Sequence, residues 1–301
     1  MYPITKGDTI GVFAPSSYVE KADIEKSSKA LQERGYKVYI HPQTFRRYNQ
    51  SAGTTDEKIS ALNDLLKNLD VKAIWCAGGG NRALHIIDHL DYKLIKKAQK
   101  PLIGFSDVTA LLNAIYAHTG QMGLHAPVFK QLWKHKDLNK TLDILGGPTK
   151  KNTLTLSKKN IVKKGRSTGH MIGGNLSIFQ YLPQTLPKKF WTGGILFLED
   201  CNEELSKIDR MLLHLKRLGV FQDINGLIFG EFTDIKDTAR PFGFTLDNLI
   251  AEHTHGLKIP ITKNAPFGHG EKLTPFPIGG FARIEATDSH AKIDLFLQNK
   301  I

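Results

Sequence analysis

The chain has little cysteine, no long hydrophobic run and no leader-like start. It has 301 residues with two cysteines, Cys76 and Cys201, which excludes a disulfide framework and fits a reducing compartment. No window approaches about 18 uninterrupted apolar residues, so no membrane span is expected. The opening MYPITKGDTIGVF lacks an apolar stretch behind a basic one, so no signal peptide is expected. We expect a cytoplasmic protein without a membrane partner.

Acidic residues are scarce relative to basic ones. The chain carries 41 Lys and Arg against 29 Asp and Glu, a formal net charge of +12. A basic surface can bind nucleic acid by neutralising phosphates, but no nucleic-acid motif accompanies these lysines. A solvated basic surface is the better interpretation, and we expect no nucleic-acid partner. With 41% hydrophobic residues, the chain can bury a core without a disulfide or a metal.

A convincing metal-ligand pattern is also missing. His85 and His89 stand four residues apart, a spacing that could put both on one helix face. However, no glutamate lies between them as in H-E-x-x-H, and no third ligand is obvious. His253 and His255 are an isolated pair. We expect no metal and no cofactor.

Short apolar runs alternate with helical patterns in the first half of the chain. The helix at 55–70 is expected to begin with Thr55 or Asp56 as its cap. This rhythm predicts a parallel sheet covered by helices, in which ligands bind at the carboxyl ends of the strands. The predicted strands are DTIGVFAPSS (8–17), YKVYIHP (36–42), VKAIWCAGGG (71–80) and PLIGFSD (101–107).

The amino-acid composition changes near Lys130. Residues 131–165 are rich in Lys, Asn and Thr and are interpreted as a linker. The remainder contains a glycine turn into a helix, two apolar strands with an amphipathic helix between them, and a tail typical of an antiparallel hairpin. The expected fold class is α/β, with an N-terminal parallel-sheet (Rossmann-like) domain over 1–130 and a second, smaller α/β domain over 166–301.

Ser106 stands between an apolar strand and a helix in the segment PLIGFSDVTALL. A serine there has its Oγ near the N–H groups of the helix start, which can hold a developing oxyanion. This is the logic of the nucleophile elbow, although Val108 stands where the usual elbow has glycine. Ser106 or Asp107 could equally cap the helix.

A serine nucleophile needs a base and a carboxylate that orients the base. Among the twelve histidines, His269 stands out because the glycines of APFGHGEK let its backbone approach a ligand. It could also be an exposed loop histidine. Glu199 ends the apolar strand GGILFLED, a site-like position that could equally serve as a cap for the following helix.

A glycine turn follows the strand AIWCA. Gly78, Gly80 and Ala83 match G-x-G-x-x-A, the dinucleotide fingerprint, which would indicate a nucleotide-binding oxidoreductase. The match lies in the third strand–helix unit, and the next strand ends without the acid that would bind the ribose. An oxyanion donor or a tight substrate cradle beside Ser106 is the better use of these glycines.

Eight ordered segments resemble the LD-carboxypeptidase family of serine peptidases (the S66 group), which includes the microcin C self-immunity hydrolases. The resemblance implies a triad of Ser106, Glu199 and His269. The segments are GDTIGVFAPSS, AGGGNRALHIIDHLDY, PLIGFSDVTALLNAIY, GLHAPV, GHMIGGNLSIFQ, GGILFLEDCNEELSKIDRMLLHLKRLGVF, GLIFGEF and NAPFGHG.

The resemblance also implies an oxyanion hole and a reaction. Backbone N–H groups of about Gly79–Gly80 and of Asp107 would bind the oxyanion, although Ala77 stands where family members often carry arginine. The implied substrate is a murein tetrapeptide that loses its terminal D-alanine in cytosolic cell-wall recycling, and we expect a homodimer. Trp133 could stack on a nucleobase, so hydrolysis of microcin C-like aminoacyl- or peptidyl-nucleotides is the alternative. The short chain favours the murein peptide.

Overall fold

The computed structural model describes residues 3–147 and 152–297, in which strands and helices alternate. The strands are β1 (Thr9–Phe13), β2 (Lys37–Ile40), β3 (Val71–Cys76), β4 (Leu102–Gly104), β5 (Gly123–His125), β6 (Asn152–Ser157), β7 (Ile161–Lys163), β8 (Gly165–Asn175), β9 (Ile195–Cys201), β10 (Gly226–Thr233), β11 (Ile261–Thr262), β12 (Phe276–Ile278), β13 (Phe281–Ala286) and β14 (His290–Phe296). The α-helices are α1 (Lys21–Gln32), α2 (Thr55–Lys67), α3 (Tyr92–Ala98), α4 (Thr109–Thr119), α5 (Leu138–Leu145), α6 (Leu176–Phe179), α7 (Leu205–Arg217), α8 (Val220–Asp223) and α9 (Leu246–Thr254).

The chain divides into two compact units. The first contains residues 3–147 together with Thr274–Gly279, and the second contains residues 152–273 and 280–297. A short segment near the end of the chain therefore belongs to the first unit, a connection that the sequence pattern does not indicate. None of the helices in the described ranges is long and apolar enough to cross a membrane.

A six-stranded sheet lies in the first unit, in the order β12-β5-β4-β3-β1-β2. Strands β1 to β5 pair in parallel, whereas β12 runs antiparallel to β5. The inner strand β3 is almost entirely buried, as expected of a parallel strand covered on both faces. The predicted Rossmann-like parallel sheet is confirmed.

The helix α2 begins at a capping box, one or two residues before the predicted cap. The Thr54 Oγ accepts the N–H of Glu57 at 3.2 Å, and Glu57 Oε2 accepts the N–H of Thr54 at 2.8 Å. Thr54 is the cap because its hydroxyl stands three residues before Glu57, the spacing that this reciprocal pair requires. The buried face of α2 carries Lys58 among aliphatic residues.

An eight-stranded mixed sheet lies in the second unit, in the order β6-β14-β13-β8-β9-β10-β11-β7. Its middle strands β8 to β11 are parallel, and the predicted antiparallel hairpin at the end of the chain is β13 and β14. Helices α6 to α9 alternate with these strands, so the second α/β unit is confirmed. The stretch 131–165 contains α5, β6 and β7.

Candidate active site

Ser106 lies in a tight turn between β4 and α4. The strand ends at Gly104, and a 3-10 turn covers Ser106–Val108. Ser106 has a φ of +64°, in the left-handed region that residues other than glycine seldom adopt. Phe105 is the N-cap of the 3-10 turn and Val108 is the N-cap of α4, so neither Ser106 nor Asp107 stands at an N-cap position. A serine held in this conformation between a strand and a helix is what a nucleophile elbow requires.

The glycine turn after β3 packs against Ser106. A Cβ on Gly79 would lie 3.0 Å from the Ser106 Cβ and 3.1 Å from its Oγ, so a side chain at this position would crowd the serine. Gly80 has a φ of +114°, and a Cβ there would collide with the hydroxyl of Ser17. The backbone of the turn therefore lies beside the Ser106 side chain, where N–H donors to an oxyanion are useful.

The glycine turn is not followed by the α-helix that a dinucleotide-binding site requires. A 3-10 helix, Leu84–His89, follows the turn in place of the predicted α-helix, whereas the fingerprint needs an α-helix N-terminus for the pyrophosphate. A 3-10 helix has roughly three residues per turn, so His85 and His89 do not share a face. Within the described residues, no group of three or more His, Cys, Asp or Glu could hold a metal ion.

Glu199 and His269 form a hydrogen-bonded pair in the second unit. Glu199 Oε2 lies 2.7 Å from Nδ1 of His269. The glutamate belongs to β9 and is fully buried, and the imidazole, in the loop after β11, is 20% exposed. Bonding through Nδ1 orients the ring and directs Nε2 away from the carboxylate, which is the orientation of a general base.

Gly268 lets the histidine loop approach the glutamate. Its φ is +135°, and a Cβ there would lie 3.2 Å from Glu199 Oε2 and 2.9 Å from the Glu231 carbonyl oxygen. A residue with a side chain would push the loop away from β9. Gly268, one of the two glycines that flank His269, therefore serves the contact between His269 and Glu199.

The pKa of His269 is raised to about 10. Burial lowers it, but the hydrogen bonds that the imidazole makes to Cys201 and Glu199, together with the negative charge of Glu199, raise it by more. Cys201 stands two residues after Glu199 on β9, and therefore on the same side of the strand. In the sequence, Cys201 stands out only as one of two cysteines. The alternation along β9 was the signal that could have placed it at this site.

Asp200, the neighbour of Glu199, has a structural role. It accepts hydrogen bonds from the Asn175 side chain and the Ser177 N–H, each at 2.9 Å, and so holds the start of α6. Burial raises the pKa of its carboxyl to about 6. Asp200 thus contacts the helix before β9, whereas the helix after it, α7, has Glu204 at its N-cap, so the helix-capping role considered for Glu199 is not observed.

Serine hydrolases activate a hydroxyl through an imidazole that a carboxylate orients. The first unit contains a serine in a strand-to-helix turn, and the second contains a carboxylate hydrogen-bonded to an imidazole. Residues 10–126 match the LD-carboxypeptidase N-terminal domain of the S66 peptidases, and residues 168–284 match the corresponding C-terminal domain. The chain therefore belongs to the LD-carboxypeptidase family, and it is a serine-type carboxypeptidase.

Individual relatives align over nearly the whole chain. A probable murein peptide carboxypeptidase from Bacillus subtilis is 28% identical, covering 97% of this chain and 93% of the relative. The microcin C7 self-immunity protein MccF of Escherichia coli is 26% identical, covering 92% and 90%. The crystal structure of muramoyltetrapeptide carboxypeptidase from Oxalobacter formigenes has a TM-score of 0.86 at 26% identity, covering 96% of this chain and 98% of that one.

Proposed function

We propose that this protein hydrolyses the L,D-peptide bond to the terminal D-alanine of murein tetrapeptides, in cytosolic cell-wall recycling. The hydrogen bond between Glu199 and His269 carries the proposal, because a buried carboxylate bound to Nδ1 orients the imidazole as the general base of a serine mechanism. The murein peptide carboxypeptidases among the relatives support the substrate class.

The proposed reaction proceeds through an acyl-enzyme. His269 takes the proton of the Ser106 hydroxyl, and Glu199 stabilises the resulting imidazolium. The Ser106 oxygen attacks the carbonyl carbon, and N–H groups of Gly79, Gly80 and Asp107 hold the oxyanion. The amide bond breaks as His269 returns its proton to the nitrogen of the leaving D-alanine. A water molecule then cleaves the acyl ester by the same steps and regenerates Ser106.

The decisive test is mass spectrometry of a murein tetrapeptide incubated with the protein. Wild type should release D-alanine, and Ser106→Ala should lower kcat by at least about 10³-fold, since it removes the nucleophile. Ser60→Ala, an exposed serine in α2, is the matched control and should keep wild-type activity. Full activity of Ser106→Ala would refute the serine mechanism, and no D-alanine release by wild type would refute the substrate.

A second candidate substrate is an aminoacyl- or peptidyl-nucleotide, which the similarity to the microcin C7 self-immunity protein supports. Trp133 is half exposed, but Lys26 Nζ lies 4.6 Å and Lys134 Nζ 5.6 Å from its ring centroid. The aromatic surface that a base would stack on is therefore shared with two ammonium groups. Faster cleavage of an aminoacyl-nucleotide than of the tetrapeptide, in the same assay, would establish this candidate instead.

A further inference from the structure

The carboxylate of Asp107 joins the two turns that surround the nucleophile. Asp107 directly follows Ser106 and is 2% exposed. Its Oδ2 accepts the backbone N–H of Ala83 at 2.9 Å, across 24 residues of sequence. Ala83 ends the glycine turn that contains Gly79 and Gly80. This hydrogen bond is therefore a direct tie between the glycine turn and the nucleophile turn.

The tie matters because the two turns fit together with no spare room. The Gly79 backbone lies so close to Ser106 that a single added methyl group would approach the serine within 3.1 Å. Oxyanion donors act through distances defined to a few tenths of an ångström, so a small displacement of the glycine turn weakens them. A buried bond at the end of the turn is well suited to prevent that displacement.

A buried lysine accompanies this carboxylate. Lys58 is 1% exposed and lies on the buried face of α2, where an aliphatic side chain would ordinarily be expected. Burial lowers the pKa of Lys58 to about 8, while the charge of Asp107 raises it and that of Arg82 lowers it further. Burial likewise raises the pKa of Asp107, against which the hydrogen bonds with Ser16 and Ala83 act first and then the charges of Lys58 and His85. Each buried charge thus lowers the free-energy cost of burying the other.

We propose that the Asp107 carboxylate is a positioning group that holds the glycine turn against Ser106, with the buried Lys58 ammonium as its counter-charge. The inference rests on the proposed serine mechanism, in which these turns supply the oxyanion donors and the nucleophile. Asp107 thereby serves twice, because its N–H faces the oxyanion and its side chain fixes the neighbouring donors. Lys58 acts only through Asp107 and does not touch the substrate.

The first test compares Asp107→Ala with Asp107→Asn. Alanine removes the acceptor for the Ala83 N–H, so kcat should fall about 100-fold while KM changes little, because oxyanion donors act in the transition state. Asparagine keeps an acceptor oxygen, so kcat of Asp107→Asn should be at least tenfold higher than kcat of Asp107→Ala. Equal kcat values for the two variants would overturn the proposal, as would a loss confined to KM.

The second test is a double-mutant cycle with Lys58→Met. In the wild-type background this change removes a positive charge that favours the ionised Asp107 carboxylate, and kcat should fall about tenfold. In the Asp107→Asn background no charge needs compensation, so the same change should have no further effect on kcat. An equal loss in both backgrounds would show that Lys58 does not act through Asp107.

Lys100→Met is the matched control for the buried lysine. The Lys100 ammonium donates to the carbonyl oxygens of Leu65 and Asn68, at the other end of α2. This variant should lower Tm and leave kcat unchanged.

If wild type releases no D-alanine, the proposed substrate is wrong. All variants are then compared by the rate at which a fluorophosphonate probe labels Ser106. Labelling rates equal to wild type throughout would refute the positioning role separately.

Discussion

The Ser106 turn and the Glu199–His269 pair are built in opposite ways. The turn is local, since β4, the 3-10 turn and α4 follow one another without interruption. The pair joins residues 70 positions apart, on β9 and on a loop that Gly268 brings against it. The turn depends on backbone conformation, and the pair depends on a tertiary contact.

This difference decides which substitutions each region tolerates. At the turn, geometry is set by main-chain angles and close backbone packing, so added volume is the main threat. At the pair, geometry is set by one charged hydrogen bond in a buried setting, so loss of charge is the main threat. Each region can therefore be disturbed by a change to which the other is insensitive.

Glu199→Gln should have the largest effect of the variants that test this comparison. Gln keeps the size of the side chain but removes the charge that stabilises the imidazolium and fixes its tautomer. We expect kcat/KM for the tetrapeptide to fall about 10³- to 10⁴-fold, as for other triads that lose their carboxylate charge. Steady-state kinetics of D-alanine release measures it.

Asp200→Asn, the adjacent acid on the other face of β9, is the control for Glu199→Gln. It should lower Tm through its bonds to the start of α6, while kcat/KM stays within about tenfold of wild type. Similar losses of kcat/KM in the two variants would mean that buried charge in β9, rather than the pair with His269, supports activity.

Gly79→Ala should have the next largest effect, on the turn. The added methyl group crowds the Ser106 Oγ at 3.1 Å, and we expect kcat to fall about 10- to 100-fold through displaced oxyanion donors. Gly146→Ala is the matched control, because its φ of −68° suits alanine and its nearest new contact would be 3.4 Å. Equal kcat values for Gly79→Ala and wild type would remove the glycine turn from the mechanism.

The same contrast explains how much the sequence could predict. Alternating apolar and helical patterns are local, so the parallel sheet, the second α/β unit and the final hairpin were predictable, as was the strand–serine–helix order at Ser106. The cap of α2 was misplaced because Thr54, Thr55 and Asp56 are all capable caps, and only the reciprocal bond with Glu57 distinguishes them. The domain boundaries at 130 and 166 and the homodimer stay predictions.

The pairing of Glu199 with His269 could not be derived from pattern alone. Among twelve histidines, glycine flanks favoured His269, but only the resemblance to a family assigned it a carboxylate. The position of β12 in the first sheet could not be predicted either, because a three-residue strand leaves almost no periodicity to detect. Long-range contacts depend on packing across the whole unit, which no short window contains.

The smallest predicted effect is a shift of the pH profile through Cys201. His269 acts as a base only when neutral, and its pKa is raised from 6.5 to about 10, so kcat/KM should rise with pH through and above neutrality. Cys201→Ala removes one of the hydrogen bonds that raise this pKa, and the acid limb should move about one unit toward lower pH. Cys201→Ser, which can keep the bond, should stay near wild type. If the acid limb of the kcat/KM profile does not move in Cys201→Ala, Glu199 alone sets the charge of the imidazole. The pair would then depend even more on a single contact.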